Sequence, residues 1–134
     1  MMTPIKVFIA DDSDPIRENL RELLSEVEDI LVIGEADNVN EACNEILHLK
    51  PDVVILDIHM PGGSGFDVLR EIRGKMPEIN MIVLTNYPTT QYRLKCLELG
   101  ASQFLDKHKE IMKVPDILLR YRKAFNTPEI QTES

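Results

Sequence analysis

The most informative segment of the chain is Val53-Val54-Ile55-Leu56-Asp57, which runs directly into Ile58-His59-Met60-Pro61-Gly62-Gly63-Ser64-Gly65. Four consecutive apolar residues, mostly β-branched, predict a strand that is covered on both faces, and such a strand is normally central in a parallel sheet. Asp57 is expected as its last residue, in the crevice where open α/β sheets bind ligands. Taken alone, Asp57 fits a turn residue as well as a functional one.

Four further strands and five helices are predicted on either side of this segment. Apolar runs predict strands at residues 5–10, 30–34, 81–85 and 103–107. Apolar residues at helical spacing predict helices that include residues 16–27, 39–47, 66–76, 94–97 and 114–125. We expect Asp14 to cap the first helix, with Pro15 at its first position. Leu94 and Leu97 give the fourth helix a thin apolar stripe.

Alternating strands and helices with short connections predict an α/β fold: a single doubly wound, five-stranded parallel sheet with helices on both faces. We expect right-handed crossovers and the flavodoxin-like strand order 2-1-3-4-5. This order makes the first and third strands neighbours. The strand ends then bring one set of polar residues to a single crevice, namely Asp11, Asp12, Asp57, Thr85 and Lys107.

The composition limits the classes of function. A chain of 134 residues with 43% hydrophobic content predicts one domain with a substantial core. The net charge of −8 argues against binding to nucleic acid or to an anionic membrane, because both require a basic surface. No apolar run approaches the roughly 20 residues of a membrane span, so we expect a cytoplasmic protein. Cys43 and Cys96 lack metal-site spacing and are interpreted as small core or surface residues.

The three carboxylates of the crevice predict a bound cation. At about 4 to 5 Å and an effective dielectric near 20, each pair of carboxylates costs roughly 3 to 4 kcal/mol. Lys107 offsets only part of this repulsion. Oxygen ligands with open positions favour Mg²⁺, which takes one or two carboxylates and keeps several waters. The alternative is that the acids after the first strand only decorate a helix N-terminus, which explains Asp14 better than Asp11 and Asp12.

With these residues in view, the chain resembles the receiver domains of two-component response regulators, the family that includes the chemotaxis response regulator. The resemblance rests on four segments: Asp11-Asp12, residues 56–65, Leu84-Thr85 and residues 100–107. It implies a receiver domain over residues 1–125. Residues 126–134 have no periodicity and are expected to form a disordered tail.

The resemblance implies specific roles at the crevice. Asp57 would accept a phosphoryl group from a phosphohistidine, Lys107 would bind a phosphoryl oxygen, and Thr85 would bind another through its hydroxyl. Phe104 matches the aromatic switch position and would turn toward the core when Thr85 is drawn inward. A carboxylate nucleophile surrounded by a metal, a lysine and a hydroxyl also suits phosphoryl transfer on general grounds.

The same resemblance implies the metal ligands. Asp12 and Asp57 would hold Mg²⁺ together with the backbone carbonyl of His59, and Asp11 would act largely through water. The sequence differs from the common pattern of the family in three respects: Asn86 replaces a small residue, His108 replaces a frequent proline, and the pair His59 and Tyr87 fills two variable positions. We expect His59, Asn86 and Tyr87 to modulate access to Asp57.

The implied function is a phosphorylation-activated signalling switch with a histidine kinase or histidine phosphotransfer protein as donor. The surface of the fourth helix, fifth strand and fifth helix would bind a downstream output protein or domain, or form a homodimer. We expect no direct binding of nucleic acid or membrane by this domain. It would be no enzyme beyond catalysing its own phosphorylation and slow dephosphorylation.

Three alternative functions compete with this interpretation. A phosphatase of the haloacid-dehalogenase type needs a second Asp where His59 stands. A flavin carrier needs a Ser/Thr/Gly-rich phosphate-binding loop after the first strand, whereas the acids from Asp11 to Asp14 would repel the phosphate. An unphosphorylated interaction module with the same fold stays open. The residues also leave open whether the chain is a stand-alone regulator or the receiver of a longer one.

Overall fold

The protein forms a five-stranded parallel sheet, and the computed structural model describes residues 3–126. The strands are β1 (Ile5–Ala10), β2 (Ile30–Ala36), β3 (Val53–Leu56), β4 (Asn80–Thr85) and β5 (Gln103–Asp106). Their spatial order is 2-1-3-4-5, with every neighbouring pair parallel. The predicted fold class and strand order are therefore confirmed.

The central position of β3 follows from its apolar sequence. Val54 is paired with Phe8 of β1 on one side and with Met81 of β4 on the other. All four residues of β3 are buried, because helices cover both faces of the sheet. Asp57 lies one residue beyond the strand rather than at its last position, although its N–H still donates to the carbonyl of Ala10 at 2.9 Å.

Five principal helices cover the sheet. They are α1 (Asp14–Ser25), α2 (Val39–Leu49), α3 (Gly65–Lys75), α4 (Thr90–Glu98) and α5 (Val114–Asn126). The helices α2, α3 and α4 pack on one face, and α1 and α5 on the other, so that each face has its own hydrophobic cluster. Within residues 3–126, no helix is long and apolar enough to cross a membrane.

The predicted cap of the first helix requires correction. Ser13, rather than Asp14, is the N-cap of α1: its side chain accepts a hydrogen bond from the N–H of Ile16, while Asp14 is already helical. The exposed carboxylate of Asp14 instead pairs with Arg17. The predicted tail at residues 126–134 lies outside the described residues, except for Asn126, which ends α5.

The segment after β5 contains more helix than predicted. Lys107–Glu110 form one α-helical turn and Ile111–Lys113 a 3₁₀ turn before α5 begins. Asp106 starts this turn, because its Oδ1 accepts from the N–H groups of His108 and Lys109. The strand consequently ends at Asp106, and Lys107 occupies the first helical position.

The apolar stripe predicted for α4 is wrong in its orientation. Leu94 is 61% exposed and Leu97 is 45% exposed, whereas Cys96 is the one fully buried residue of this helix. The prediction for the cysteines is confirmed: Cys96 lies in the core and Cys43 is half-buried. The helix therefore turns its leucines outward, and it contributes only one residue to the buried core cluster beneath it.

Candidate functional site

Two buried carboxylates share one buried lysine at the carboxyl end of the sheet. The Nζ atom of Lys107 lies 2.8 Å from Oδ2 of Asp11 and 3.3 Å from Oδ2 of Asp57. All three side chains are at least 94% buried. The structure thus brings together residues that follow β1, β3 and β5, because the carboxyl ends of adjacent parallel strands meet at one edge.

Backbone contacts fix the two carboxylates in place. The N–H of Asp11 donates to the carbonyl of Ala36 at 3.0 Å, which extends the sheet beyond β1. On the other side of Asp57, the N–H of Gly65 donates to the carbonyl of Ile58 at 2.6 Å. A Cβ atom at Gly65 would lie 2.4 Å from the backbone carbonyl oxygen of Asp57. Only glycine therefore allows α3 to begin this close to the site.

The electrostatics of Asp57 reflect this crowding. Burial raises the pKa of its carboxyl group, and the nearby charge of Asp11 raises it further. Lys107 and the backbone N–H of His59, which lies 3.5 Å from Oδ1, act in the opposite direction without cancelling the shift in pKa. The ionised form of Asp57 is thus disfavoured by its surroundings, and an additional positive charge would stabilise it.

The arrangement fits a divalent cation. Asp11, Asp12 and Asp57 each offer a carboxylate oxygen within 4.8 Å of the others. Asp12 is exposed, so the cluster opens to solvent on its side. Three carboxylates against the single ammonium of Lys107 leave two negative charges unbalanced. Hard oxygen donors with an open side suit Mg²⁺, which retains part of its water shell.

Thr85 occupies the end of β4, directly beside β3 in the sheet. Its side chain is fully buried, and its Oγ1 accepts a hydrogen bond from the N–H of Tyr87 at 3.0 Å. This bond leaves the hydroxyl proton of Thr85 available for another acceptor. Asn86 is exposed, and it follows Thr85 at the rim of the site.

A line of aromatic rings runs from the rim of the site onto α4. The ring of His59 meets that of Tyr87 edge-on at 4.6 Å between centroids, and it lies 5.8 Å from the ring of Tyr92. Tyr92 in turn contacts Phe66 of α3 edge-on at 5.7 Å. His59 and Tyr87 therefore pack against each other rather than pointing separately into solvent.

Phe104 is already buried, with only 4% of its surface exposed. The guanidinium carbon of Arg93, on α4, lies 5.1 Å from the centroid of its ring. The predicted turn of Phe104 toward the core is therefore not needed to bury it. A change at this position would instead alter its contact with Arg93 and α4.

Arg17 is a neighbour of the site that the sequence analysis missed. Its Nη1 donates to the backbone carbonyl of Asp11 at 2.6 Å, and its Nε donates to Oε1 of Glu35 at 3.1 Å. The available signal was an arginine one helical turn after the Ser13 cap, on the same side as the acids. Helical spacing alone did not show that β2 supplies Glu35 as its partner.

The comparisons with known proteins agree with this geometry. The family model of the response regulator receiver domain matches residues 7–118. The DNA-binding transcriptional activator DevR/DosR of Mycobacterium tuberculosis is 34% identical over 103 residues, which are 77% of this chain and 48% of that protein. The chain spans about half the length of several curated relatives that it matches.

Two solved structures share the fold over nearly the whole chain. The isolated receiver domain of RcsB from Salmonella enterica serovar Typhimurium, solved with the phosphomimetic BeF₃⁻, has a TM-score of 0.83 at 27% identity and covers 90% of each chain. A CheX–CheY–BeF₃–Mg²⁺ complex from Borrelia burgdorferi gives a TM-score of 0.79 at 27% identity, covering 93% of this chain and 92% of that one.

Proposed function

The chain belongs to the response regulator receiver domain family, and on that premise we propose that it is a phosphorylation-activated switch of a two-component phosphorelay. Residues 1–125 form the receiver domain in this proposal. Asp57 accepts a phosphoryl group from a phosphohistidine on a histidine kinase or a histidine phosphotransfer protein. The observation that carries this proposal is the buried Asp57 carboxylate, held 3.3 Å from Lys107 and facing Asp11.

The transfer forms a bond between a carboxylate oxygen of Asp57 and phosphorus as the bond from phosphorus to the histidine nitrogen breaks. Lys107 then binds one phosphoryl oxygen, and the hydroxyl group of Thr85 donates a hydrogen bond to another. Both groups balance charge that spreads over the phosphoryl oxygens, which is the main task of a protein in phosphoryl transfer. No side chain is needed as a general base, because Asp57 attacks in its ionised form.

We assign Mg²⁺ to the acidic cluster. Asp12 and Asp57 would hold it together with the backbone carbonyl of His59, and Asp11 would contribute largely through water. When bound, the ion neutralises the carboxylates and the phosphoryl oxygens. The relative from Borrelia burgdorferi was solved with Mg²⁺ and BeF₃⁻ together, which supports this assignment.

Acetyl phosphate as a small-molecule donor tests the proposal directly. With Mg²⁺ present, the intact mass of the wild-type protein should rise by one phosphoryl group, and Asp57→Asn should show no gain. Asp12→Ala should react more slowly, because it loses a metal ligand. Undiminished phosphorylation of Asp57→Asn would remove Asp57 from its role. The absence of any gain in the wild type would favour the unphosphorylated interaction module.

We further propose that the edge-on pair of His59 and Tyr87 slows self-dephosphorylation. Hydrolysis needs a water in line behind phosphorus, and we expect the two rings, which lie 4.6 Å apart, to close one approach to Asp57. The decay of the phosphorylated protein should quicken in Tyr87→Ala. Slower decay in His59→Ala would show instead that His59 assists the water. The decay rate of Asn86→Ala measures separately whether the side-chain amide of Asn86 crowds the phosphoryl group.

The output face in this proposal comprises α4, β5 and α5. Exposed Leu94 and Leu97 give α4 an apolar outer surface that suits a downstream protein or domain, or a homodimer. Phosphorylation draws Thr85 toward the phosphoryl group and changes the packing of Phe104 against α4. The domain itself has no catalytic output and no direct contact with nucleic acid or membrane, and we place it in the cytoplasm.

A further inference from the structure

Arg17 makes a set of contacts that the proposed phosphotransfer does not use. Only 14% of its side chain is exposed. Its guanidinium group donates to the carbonyl of Asp11 at 2.6 Å and to the carboxylate of Glu35 at 3.1 Å, and it also pairs with Asp14. One planar group therefore ties the start of α1 and the strand β2 to the loop that follows β1.

These contacts complete the fixation of Asp11. Its N–H is bound to Ala36, and its carbonyl oxygen to Arg17. One carboxylate oxygen accepts from the N–H of Ser13 at 2.9 Å, and the other faces Lys107. Arg17 is the partner that holds the carbonyl end of the residue.

The carbonyl of Asp11 belongs to the same planar peptide unit as the nitrogen of Asp12. Holding this oxygen consequently sets the direction in which the chain enters Asp12. The side chain of Asp12 is exposed, in contrast to those of Asp11 and Asp57. Its position beside the other two carboxylates therefore depends on the backbone to which it is attached.

The positive charge of Arg17 is largely neutralised by the carboxylates with which it pairs. Arg17 and Arg21 both bind Glu35, and Arg17 also pairs with Asp14, so that two guanidinium groups face two carboxylates. Burial lowers the pKa of Arg17, but the carboxylates of Asp14 and Glu35 outweigh it and the pKa is raised. The group stays charged, and its effect on the acidic cluster is geometric rather than electrostatic.

We propose that Arg17 is a positioning residue for Mg²⁺: through the peptide that joins Asp11 to Asp12, it holds the Asp12 carboxylate beside those of Asp11 and Asp57. The inference rests on the proposed function, because it requires that this cluster binds Mg²⁺. Arg17 touches no reacting atom, so it affects how tightly the metal binds and leaves the transfer itself unchanged.

Arg21 provides a matched control. It lies one turn further along α1 and binds the same Glu35 carboxylate at 2.6 Å, and its contacts within residues 3–126 do not include the Asp11 carbonyl. Arg17→Ala and Arg21→Ala remove the same charge, and only the former frees the peptide. Arg17→Lys keeps the charge, but a single ammonium cannot span the carbonyl and Glu35 as the guanidinium does.

The experiment titrates Mg²⁺ into each metal-free variant by calorimetry and, separately, measures the rate of phosphorylation by acetyl phosphate across Mg²⁺ concentrations. We expect Mg²⁺ to bind about tenfold more weakly to Arg17→Ala, equivalent to about 1.4 kcal/mol. Arg17→Lys should fall between Arg17→Ala and the wild type, and Arg21→Ala should stay within about twofold of the wild type. The Mg²⁺ midpoint of phosphorylation should shift in parallel, with an unchanged plateau rate at saturating Mg²⁺.

Equal weakening in Arg17→Ala and Arg21→Ala would overturn the inference, since the shared charge would then explain the effect. Mg²⁺ affinity of Arg17→Ala equal to that of the wild type would also overturn it, as would a lower plateau with an unshifted midpoint. Urea unfolding in EDTA checks that each variant is folded. If Arg17→Ala is not folded, the Mg²⁺ affinities of Arg17→Lys and Arg21→Ala are compared instead. A wild-type protein that binds no Mg²⁺ and takes up no phosphoryl group would instead contradict the proposed function.

Discussion

The site around Asp57 and the helix α4 lie side by side on the same sheet, but they are anchored in opposite ways. At the site, Asp11, Asp57 and Lys107 are buried charged groups, and the strand β3 that leads to Asp57 is buried throughout. In α4, Cys96 is the one buried residue, and two leucines face outward.

From this difference in anchoring we expect the site around Asp57 to be rigid and α4 to move more easily. The site is held by sheet hydrogen bonds and by a charge pair inside the protein, all of which must break before it can deform. The helix α4 is attached largely through two side chains near its start. The ring of Tyr92 contacts that of Phe66, and the guanidinium group of Arg93 lies over the ring of Phe104. Segments with few buried contacts open at low free-energy cost, so α4 suits the part that moves in the proposed switch.

The largest expected effect is at Lys107. Lys107→Met leaves Asp11 and Asp57 buried beside each other without a cation, and removing one partner of a buried ion pair typically costs about 4 kcal/mol. Urea unfolding in EDTA measures the loss. The exposed Lys109→Met is the control and should change the free energy of unfolding by less than about 0.5 kcal/mol. Similar values for both variants would mean that the site is not a buried charge pair.

A pair of leucines tests the comparison with identical chemistry. Leu56 in β3 is fully buried, and Leu56→Ala should lower the free energy of unfolding by about 3 kcal/mol, because it leaves a cavity in close packing. Leu94→Ala on α4 should cost less than about 0.5 kcal/mol, since the side chain is largely exposed. Chemical denaturation at pH 7 measures both values. A cost above 2 kcal/mol for Leu94→Ala would show that α4 is anchored as firmly as β3.

A stabilising effect is expected from Asp57→Asn in the absence of Mg²⁺. The pKa of Asp57 is raised in the folded protein by burial and by Asp11, so its contribution to stability is present at low pH and is lost as the pH rises through the folded pKa. At pH 7 the ionised carboxylate therefore costs free energy. In EDTA at pH 7 the free energy of unfolding of the variant should therefore be higher than that of the wild type, as measured by urea denaturation.

Two controls accompany this prediction. The exposed Glu18→Gln should change stability little at the same pH. The advantage of Asp57→Asn should also shrink as Mg²⁺ is added, because only the wild type gains a full set of ligands. A less stable Asp57→Asn in EDTA would mean that Lys107 outweighs burial and the charge of Asp11.

The smallest expected effect is a change in thiol reactivity. Burial raises the pKa of Cys96 to about 11, so its reaction with a disulfide reagent near pH 8 requires α4 to open. The half-buried Cys43 on α2 serves as a control in the same molecule. With BeF₃⁻ and Mg²⁺, the labelling rate of Cys96 should change severalfold while that of Cys43 stays nearly constant. Equal changes at both thiols would indicate a global effect on the fold.

The fold was predictable because its signals are local and repeated. The apolar run of β3 and the alternation of strand and helix determine the sheet, and strand ends place Asp11, Asp57 and Lys107 together. Their positions can be predicted without knowing how any helix is rotated about its axis, because the carboxyl ends of parallel strands share one edge. The same reasoning placed Thr85 beside β3.

The errors fall where tertiary contacts decide. Leu94 and Leu97 are predicted to form the apolar stripe of α4, but both are exposed and Cys96 is the buried residue. Ser13 caps α1 in place of the predicted Asp14, since both residue types are good caps and the pairing of Asp14 with Arg17 cannot be read from the sequence. The role of Arg17 itself depends on Glu35, eighteen residues further along the chain on another strand.

Amide hydrogen exchange with and without BeF₃⁻ and Mg²⁺ tests the central claim most directly, because it follows the site and α4 in one experiment. The account predicts increased protection around Asp57 and Asp11, little change in β3, and altered exchange across α4 and β5, with Asp57→Asn unresponsive. Changes confined to the residues around Asp57, with none between Tyr87 and Tyr121, would contradict the claim that phosphorylation at a rigid site is read out through α4.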